Sequence, residues 1–362
     1  MLSTIAGFAL RSYQKIVIQA KHKQATGAEF VYVVNQGENN ISQYMISAHS
    51  SLEPLQVAMV AAGTTPVFIA IHPLGKYAYV ANQGSNNISQ FEIGENGSLQ
   101  PLAHPVNAGT APVAIAIDPL GRYAYVANNS SNEVSQYLIS PGGLLSAMSP
   151  VSVATGTIPV AITVDPSGNY VYVVNNSSNS ISQFYISDNG SLIPMQKPTI
   201  GSGIAPRAIA IDPAGKFAYV VNRTSGNVTQ YAIGAHGELS LITEPAQAGK
   251  HPISICIAPS GKYVYVVNQN DNNISQYTLN DSGQLTAMSP PSVNSPVTPV
   301  HINVTPSSKY AYVTNISSNN VSQFSIGGRG ELIAIPRNSW GDSTVLSGTS
   351  PRCVGVLMQR KK

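Results

Sequence analysis

Cationic side chains gather at one recurring point of this chain. Arg207, Lys250 with His251, His301 and Arg352 all stand within two residues of the proline in a repeated Gly-x-x-Pro-like phrase, and Arg223 follows a repeated Tyr-Val-x-Asn. A guanidinium offers paired donors to a carboxylate or phosphate. An ordinary imidazole titrates near neutrality and can take a proton as a general base. These types together fit the binding of a small anion beside a group that moves protons. Asp118, Asp165 and Asp212 form a second recurring set, which reads either as a ring of carboxylates or as turn residues. Each begins an Asp-Pro-x-Gly phrase, where Asp, Pro and Gly suit the first, second and fourth places of a type I turn, and His72, Ala258 and Thr305 stand at that point elsewhere. Turn formation is the preferred reading.

The elements that position these residues follow from a seven-fold repeat. Tyr-Val-x-Asn ends at Asn35, Asn82, Asn128, Asn175, Asn222, Asn268 and Asn315, at intervals of 46 or 47 residues. Such a period marks a supersecondary unit that buries its apolar faces only by stacking on its neighbours. Each unit carries a β-rich run after Gly-x-x-Pro, a tight turn, the Tyr-Val-x-Asn strand and a polar loop. An alternating Ser-Gln or Thr-Gln strand and a weaker fourth strand complete it. The spacing predicts an all-β, seven-bladed β-propeller of four-stranded antiparallel blades. Residues 30–35 form a second strand with no first strand before it, and residues 351–357 a first strand with no second after it. Pairing the C-terminal strand with the N-terminal blade closes the ring and removes two sheet edges. The glutamines Gln43, Gln90, Gln136, Gln183, Gln230, Gln276 and Gln323 recur in every unit and predict an inter-blade hydrogen-bond ladder. The seven Asn residues are expected to bond the backbone of the loop that follows them.

The chain has 362 residues, and the repeats run without a linker, so residues 28–358 form one domain between an N-terminal extension (1–27) and a basic tail (359–362). Only 10% of residues are charged, against roughly 25% in ordinary soluble domains, so the surface must be Asn-, Ser-, Thr- and Tyr-rich. A net charge of +3 without a basic run in the repeats gives no case for nucleic acid. The apolar stretch at residues 2–10 is too short to span a bilayer and makes a poor signal peptide. Cys256 and Cys353 fall on first strands of non-neighbouring blades and are expected to be buried free thiols. The scattered histidines have no metal-site spacing, and no nucleophile elbow or cofactor motif is present.

Gly-x-x-Pro, the Ile-Ala-Ile-Asp-Pro-x-Gly turn, Tyr-Val-x-Asn and Gly-x-Leu together resemble the seven-bladed propellers of the 6-phosphogluconolactonase-like lactonase family and related YVTN-repeat proteins. The resemblance covers about residues 28–357. It implies cofactor-free hydrolysis of an anionic sugar-derived lactone to the hydroxy acid. An alternative from the same resemblance is a non-enzymatic propeller that binds a protein partner through its loop face. The chain is expected to be a monomer.

In a symmetric ring, function belongs where symmetry breaks. The loops leading into the first strands of blades 2, 3 and 4 are uncharged, whereas blades 5, 6, 7 and 1 bring in Arg207, Lys250 with His251, His301 and Arg352. These four blades are consecutive, so the cations are expected to share one sector of the channel mouth. There His251 or His301 would be the general base, and Arg207, Arg223, Lys250 and Arg352 would bind substrate.

Overall fold

The computed structural model describes residues 27–48, 50–102, 104–336 and 343–359. The rest of the N-terminal extension, and tail residues 360–362, lie outside the described residues. Every described element is a β-strand, and all pairings are antiparallel. Blade 3 shows the plan from the channel outward: Pro112–Ile117, Tyr123–Asn128, Glu133–Ile139 and Leu145–Ala154. The outer strand is continuous in blades 1, 3, 4 and 6 and interrupted in 2, 5 and 7, as at Leu99–Pro101 and Val106–Asn107. Blade 1 takes its inner strand from the far end of the chain. Pro351–Met358 pairs with Glu29–Asn35 in register from Glu29↔Met358 to Asn35↔Pro351. The seven inner strands touch one another in cyclic order, which is the expected closed ring.

Burial explains why the second strand carries the strongest sequence signal. The Tyr and Val of each Tyr-Val-x-Asn are inaccessible, as at Tyr125 and Val126, because this strand is covered by a blade on either side. Seven apolar clusters result, one at each seam between blades. A fully buried Val or Leu contributes roughly 1.5–3 kcal/mol, so each seam is a strong hydrophobic joint. The buried tyrosine hydroxyls need acceptors, and six find one in the next blade. Tyr125, for example, donates to the Gly190 carbonyl at 2.6 Å. Gly190 has φ 88, and a Cβ there would sit 2.2 Å from the Tyr123 ring, so glycine is required.

The glutamine ladder is present at all seven seams. Each Gln side-chain oxygen accepts the N–H of the leucine that starts the next blade's outer strand, from Gln43 and Leu99 (2.6 Å) round to Gln323 and Leu52 (2.7 Å). The Tyr-Val-x-Asn side chains do something other than cap the loop after them. Their amides donate to side chains of the third strand, as Asn82 does to Asn87 and Ser89. The carbonyl oxygen of Asn82 accepts the Gly63 N–H from the loop ahead of the inner strand. The asparagine amide therefore stitches the second strand to the third, and in Asn82 and Asn268 the side-chain oxygen also ties in the loop ahead of the inner strand, whereas the oxygens of Asn35, Asn128 and Asn175 are buried without a partner.

Candidate functional site

Proline shapes the mouth. In each blade the inner strand opens with Pro, which has no N–H to give the ladder, and the pairing skips one residue before it resumes. Pro206 pairs with Asn222 and Ala208 with Val221, leaving Arg207 as the extra residue of a bulge. The same offset occurs at Val67, Val113, Val160, Ile253, Val300 and Arg352. A bulge re-aims the side chain of its unpaired residue. All seven bulged residues line a single cavity of about 520 Å³ at the channel mouth. Five give it an apolar wall, and Arg207 and Arg352 make it cationic.

Arg207 and His301 thus lie within inner strands, not in the loops ahead of them as the sequence pattern suggested, and Arg352 lies in the closing strand as expected. Arg207 belongs to blade 5 and Arg352 to blade 1, three steps apart around the ring (5 to 6 to 7 to 1), so they approach the cavity from different sides. Burial lowers the affinity of the Arg207 guanidinium for its proton, and the like charges of Arg223 and Arg352 lower it further. Burial does the same to Arg352. Arg352 Nε donates to Gln36 Oε1 at 2.5 Å. Among the described residues the ion pair is Arg122 with Asp118, in the turn at the other end of blade 3, and no carboxylate pairs with Arg207, Arg223 or Arg352. Partly buried like charges without a counter-ion create a strong local preference for an anion.

His301 shares the cavity wall and stands edge-on to Phe68, with ring centroids 6.1 Å apart. Its Nδ1 accepts the Val354 N–H at 3.4 Å, which assigns the ring proton to Nε2. Nε2 lies 3.7 Å from Cys353 Sγ. Burial pushes the imidazole down to about 4 and the Cys353 thiol up to about 12. The two are therefore a neutral thiol–imidazole pair near pH 7, without the thiolate needed for nucleophilic attack. Cys256, also a free thiol, is pushed up to about 11 by burial.

Lys250 and His251 sit in the loop leading into blade 6 and are not among the residues lining the cavity. Lys250 is exposed, and its N–H is accepted by Asp271 Oδ2 at 2.8 Å. His251 holds a left-handed φ of 53, and its Nδ1 is buried without a partner. The structure therefore brings Arg207, His301 and Arg352 to one cavity, with Arg223 in electrostatic reach, and leaves Lys250 and His251 beside it. Gln36, Gln83 and Asn129, which sequence reasoning passed over, line the same cavity. Their signal is positional: each directly follows Tyr-Val-x-Asn.

The aspartates serve turns at the opposite end of the inner strand. Asp165 Oδ1 accepts the N–H groups of Asn169 and Tyr170, at 2.9 and 2.8 Å, and Oδ2 accepts from the Ser167 N–H and hydroxyl. Asp212 repeats the pattern with Lys216 and Phe217. A smaller hollow of about 200 Å³ between blades 3 and 4 is lined by no ionisable residue. Among the described residues no cluster of three or more His, Cys, Asp or Glu side chains could hold a metal, and no helix is long and apolar enough to cross a membrane.

Comparison with solved structures gives this fold repeatedly at low identity. A candidate 6-phosphogluconolactonase of Bacteroides fragilis aligns over 92% of this chain and 98% of its own, with a TM-score of 0.78 and 20% identity. The periplasmic gluconolactonase of Pseudomonas aeruginosa aligns over 91% and 99%, with a TM-score of 0.77 and 18% identity. A hydrazine synthase of Kuenenia stuttgartiensis aligns over 81% and 91%, at 0.64 and 20%. One scaffold carrying such different chemistries supports the fold and leaves the reaction to the site. No curated protein matches the chain. The family model described as "Lactonase, 7-bladed beta-propeller" matches in overlapping segments at residues 18–117, 104–255, 193–298 and 243–345. With nearly the whole ring covered in this way, the chain belongs to the seven-bladed β-propeller lactonase family.

Proposed function

We propose that this protein is a lactonase-like hydrolase that opens an anionic, sugar-derived lactone at the channel mouth. The observation that carries this reading is the pair of bulged arginines, Arg207 and Arg352, presented to one cavity with no carboxylate partner among the described residues. Similarity to a candidate 6-phosphogluconolactonase and to a gluconolactonase supports the substrate class.

In this reading Arg207 and Arg352, with Arg223 and Lys250 near the rim, bind the anionic group and the oxygen that gains charge at the ring carbonyl. A base takes a proton from water as the hydroxyl adds to the carbonyl carbon. The ring C–O bond then breaks, and the leaving alkoxide receives that proton, giving the hydroxy acid. His301 is the imidazole on the cavity wall, and it acts as the base once its Nδ1 exchanges the long 3.4 Å bond from the Val354 N–H for the attacking water. Its low basicity keeps it neutral at pH 7 and makes proton return to the alkoxide easy, while limiting its pull on water. His251, whose Nδ1 has no protein partner, is the second candidate. No cofactor enters the scheme. Acid release from 6-phosphogluconolactone and simple aldonolactones tests the reading.

One observation favours the alternative of a binding scaffold. Ile204 and Val297, on the loops of the same face, are 58% and 56% exposed and would suit a protein partner. Lactone turnover that survives blocking this rim excludes it as the main role.

A further inference from the structure

A ring of identical hydrogen bonds runs round the mouth and is broken at one seam. Ahead of each inner strand one residue adopts a left-handed φ between 52 and 61. In six blades its N–H donates to an Asn side-chain oxygen of the preceding blade, as Ala205 does to Asn179 and Thr298 to Asn272, both at 2.8 Å. At the seam between blades 5 and 6 the donor is His251, and Gly226 stands where the Asn would be. Among the described residues the His251 N–H has no acceptor, whereas its carbonyl keeps the ring's usual bond, from Gln269 N–H at 3.0 Å.

Packing does not demand this glycine. A Cβ at residue 226 would meet only the Gly249 carbonyl, at an ordinary 3.6 Å, and the six equivalent Asn residues hold φ values of 50 to 56 close to the 66 of Gly226. The gap coincides with the other anomalies of this seam. Arg223 is in the same loop as Gly226, Lys250 adjoins His251, and the buried Nδ1 of His251 lacks a partner. Arg223 also acts electrostatically on Arg207, which connects the seam to the cavity.

We propose that the blade 5–6 seam is an oxyanion subsite. A carboxylate or phosphate oxygen of the ligand accepts the His251 N–H in the place of the missing Asn oxygen, and Arg223 and Lys250 supply the compensating charge. Asp271, whose Oδ2 accepts the Lys250 N–H, is the acidic group on the same blade that the anion must tolerate. The proposal rests on the reading of the mouth as a site for an anionic substrate and locates that substrate's anionic end.

Gly226→Asn tests it by supplying the seventh side-chain oxygen. Calorimetric titration with inorganic phosphate and with gluconate, together with the His251 amide resonance, reads occupancy, and the two probes separate phosphate from carboxylate recognition. The expected result is binding of at least one probe by the parent with a shift of the His251 amide. In Gly226→Asn affinity should fall by about tenfold or more, the scale of one charge-assisted hydrogen bond, while the melting temperature rises. Arg223→Gln should weaken binding without the gain in stability. Equal probe affinity in parent and Gly226→Asn, or no binding of either probe by the parent, overturns the proposal. The hydrolase reading fails separately. Probe binding at the seam without lactone turnover removes the reaction and keeps the subsite, whereas turnover that depends on Arg207 and Arg352 but ignores Gly226→Asn does the reverse.

Discussion

The Leu52 N–H donates to Gln323 Oε1 at 2.7 Å, across 271 residues of sequence. The bond joins the last blade to the first and is the same bond that holds every other seam. Together with the pairing of Pro351–Met358 on Glu29–Asn35 it makes the ring continuous. Deleting residues 351–362 should expose a strand edge in blade 1 and abolish a single cooperative melt. Deleting 360–362 should change little. Equal melting temperatures for the two truncations would show that the C-terminal strand does not close the ring.

The aspartate turns are structural. Asp165→Asn keeps an oxygen for the Asn169 and Tyr170 N–H groups but places an NH₂ against the Ser167 N–H, so stability should drop by about 0.5–1.5 kcal/mol. Lactone turnover and anion affinity should match the parent, because this turn lies at the end of the inner strand away from the cavity. A folded Asp165→Asn protein that has lost activity would make the aspartate ring a functional site.

His301 sets a direction for pH dependence. Its folded value of about 4 is below the ordinary 6.5, so between these values the unfolded chain binds a proton that the native chain does not. Stability from this group is therefore present above pH 6.5, falls as pH drops toward about 4, and falls no further below that, with a ceiling of about 3 kcal/mol. Buried His72, also lowered by burial, acts in the same direction. Denaturant titrations of the parent and His301→Phe at pH 7 and pH 4.5 check this. The difference between them should narrow or reverse at the lower pH, and an unchanged difference would mean that the imidazole is not buried neutral.

How legible this was in sequence depended on whether a feature repeats. The ring, the closing strand and the glutamine ladder all recur at constant spacing, so pattern alone locates them. The bulge recurs too, but it is a register effect. Gly-x-x-Pro marks the start of the strand without showing that the ladder skips the next residue, which is why Arg207 reads as a loop residue and Arg352 as an ordinary strand residue. The run of cationic blades 5, 6, 7 and 1 already set the two arginines three steps apart; what it did not hold is that both face one cavity and that His301 lies beside Cys353, a neighbour only because the ring closes. The asparagine stitching and the left-handed residues ahead of each inner strand depend on partners in another strand or blade, information that local propensity does not hold. Once that ring of bonds is seen, Gly226 reads at once as its exception.

Arg207→Ala and Arg352→Ala should each weaken binding of an anionic ligand by about 1.5–3 kcal/mol, the range for hydrogen bonds to charged groups. Val113→Ala and Val160→Ala, at the equivalent bulges of blades 3 and 4, should lower it far less, since they contribute only apolar contact. Calorimetric titration with gluconate distinguishes the two sets.

The most direct test of the central claim is the rate of acid release from 6-phosphogluconolactone and simple aldonolactones, measured for the parent and for an Arg207→Gln/Arg352→Gln double variant of normal melting behaviour. The account predicts release well above the spontaneous rate with the parent and near the spontaneous rate with the double variant. Release at the spontaneous rate with the parent, or equal release by both proteins, would contradict a lactonase site at the two bulged arginines.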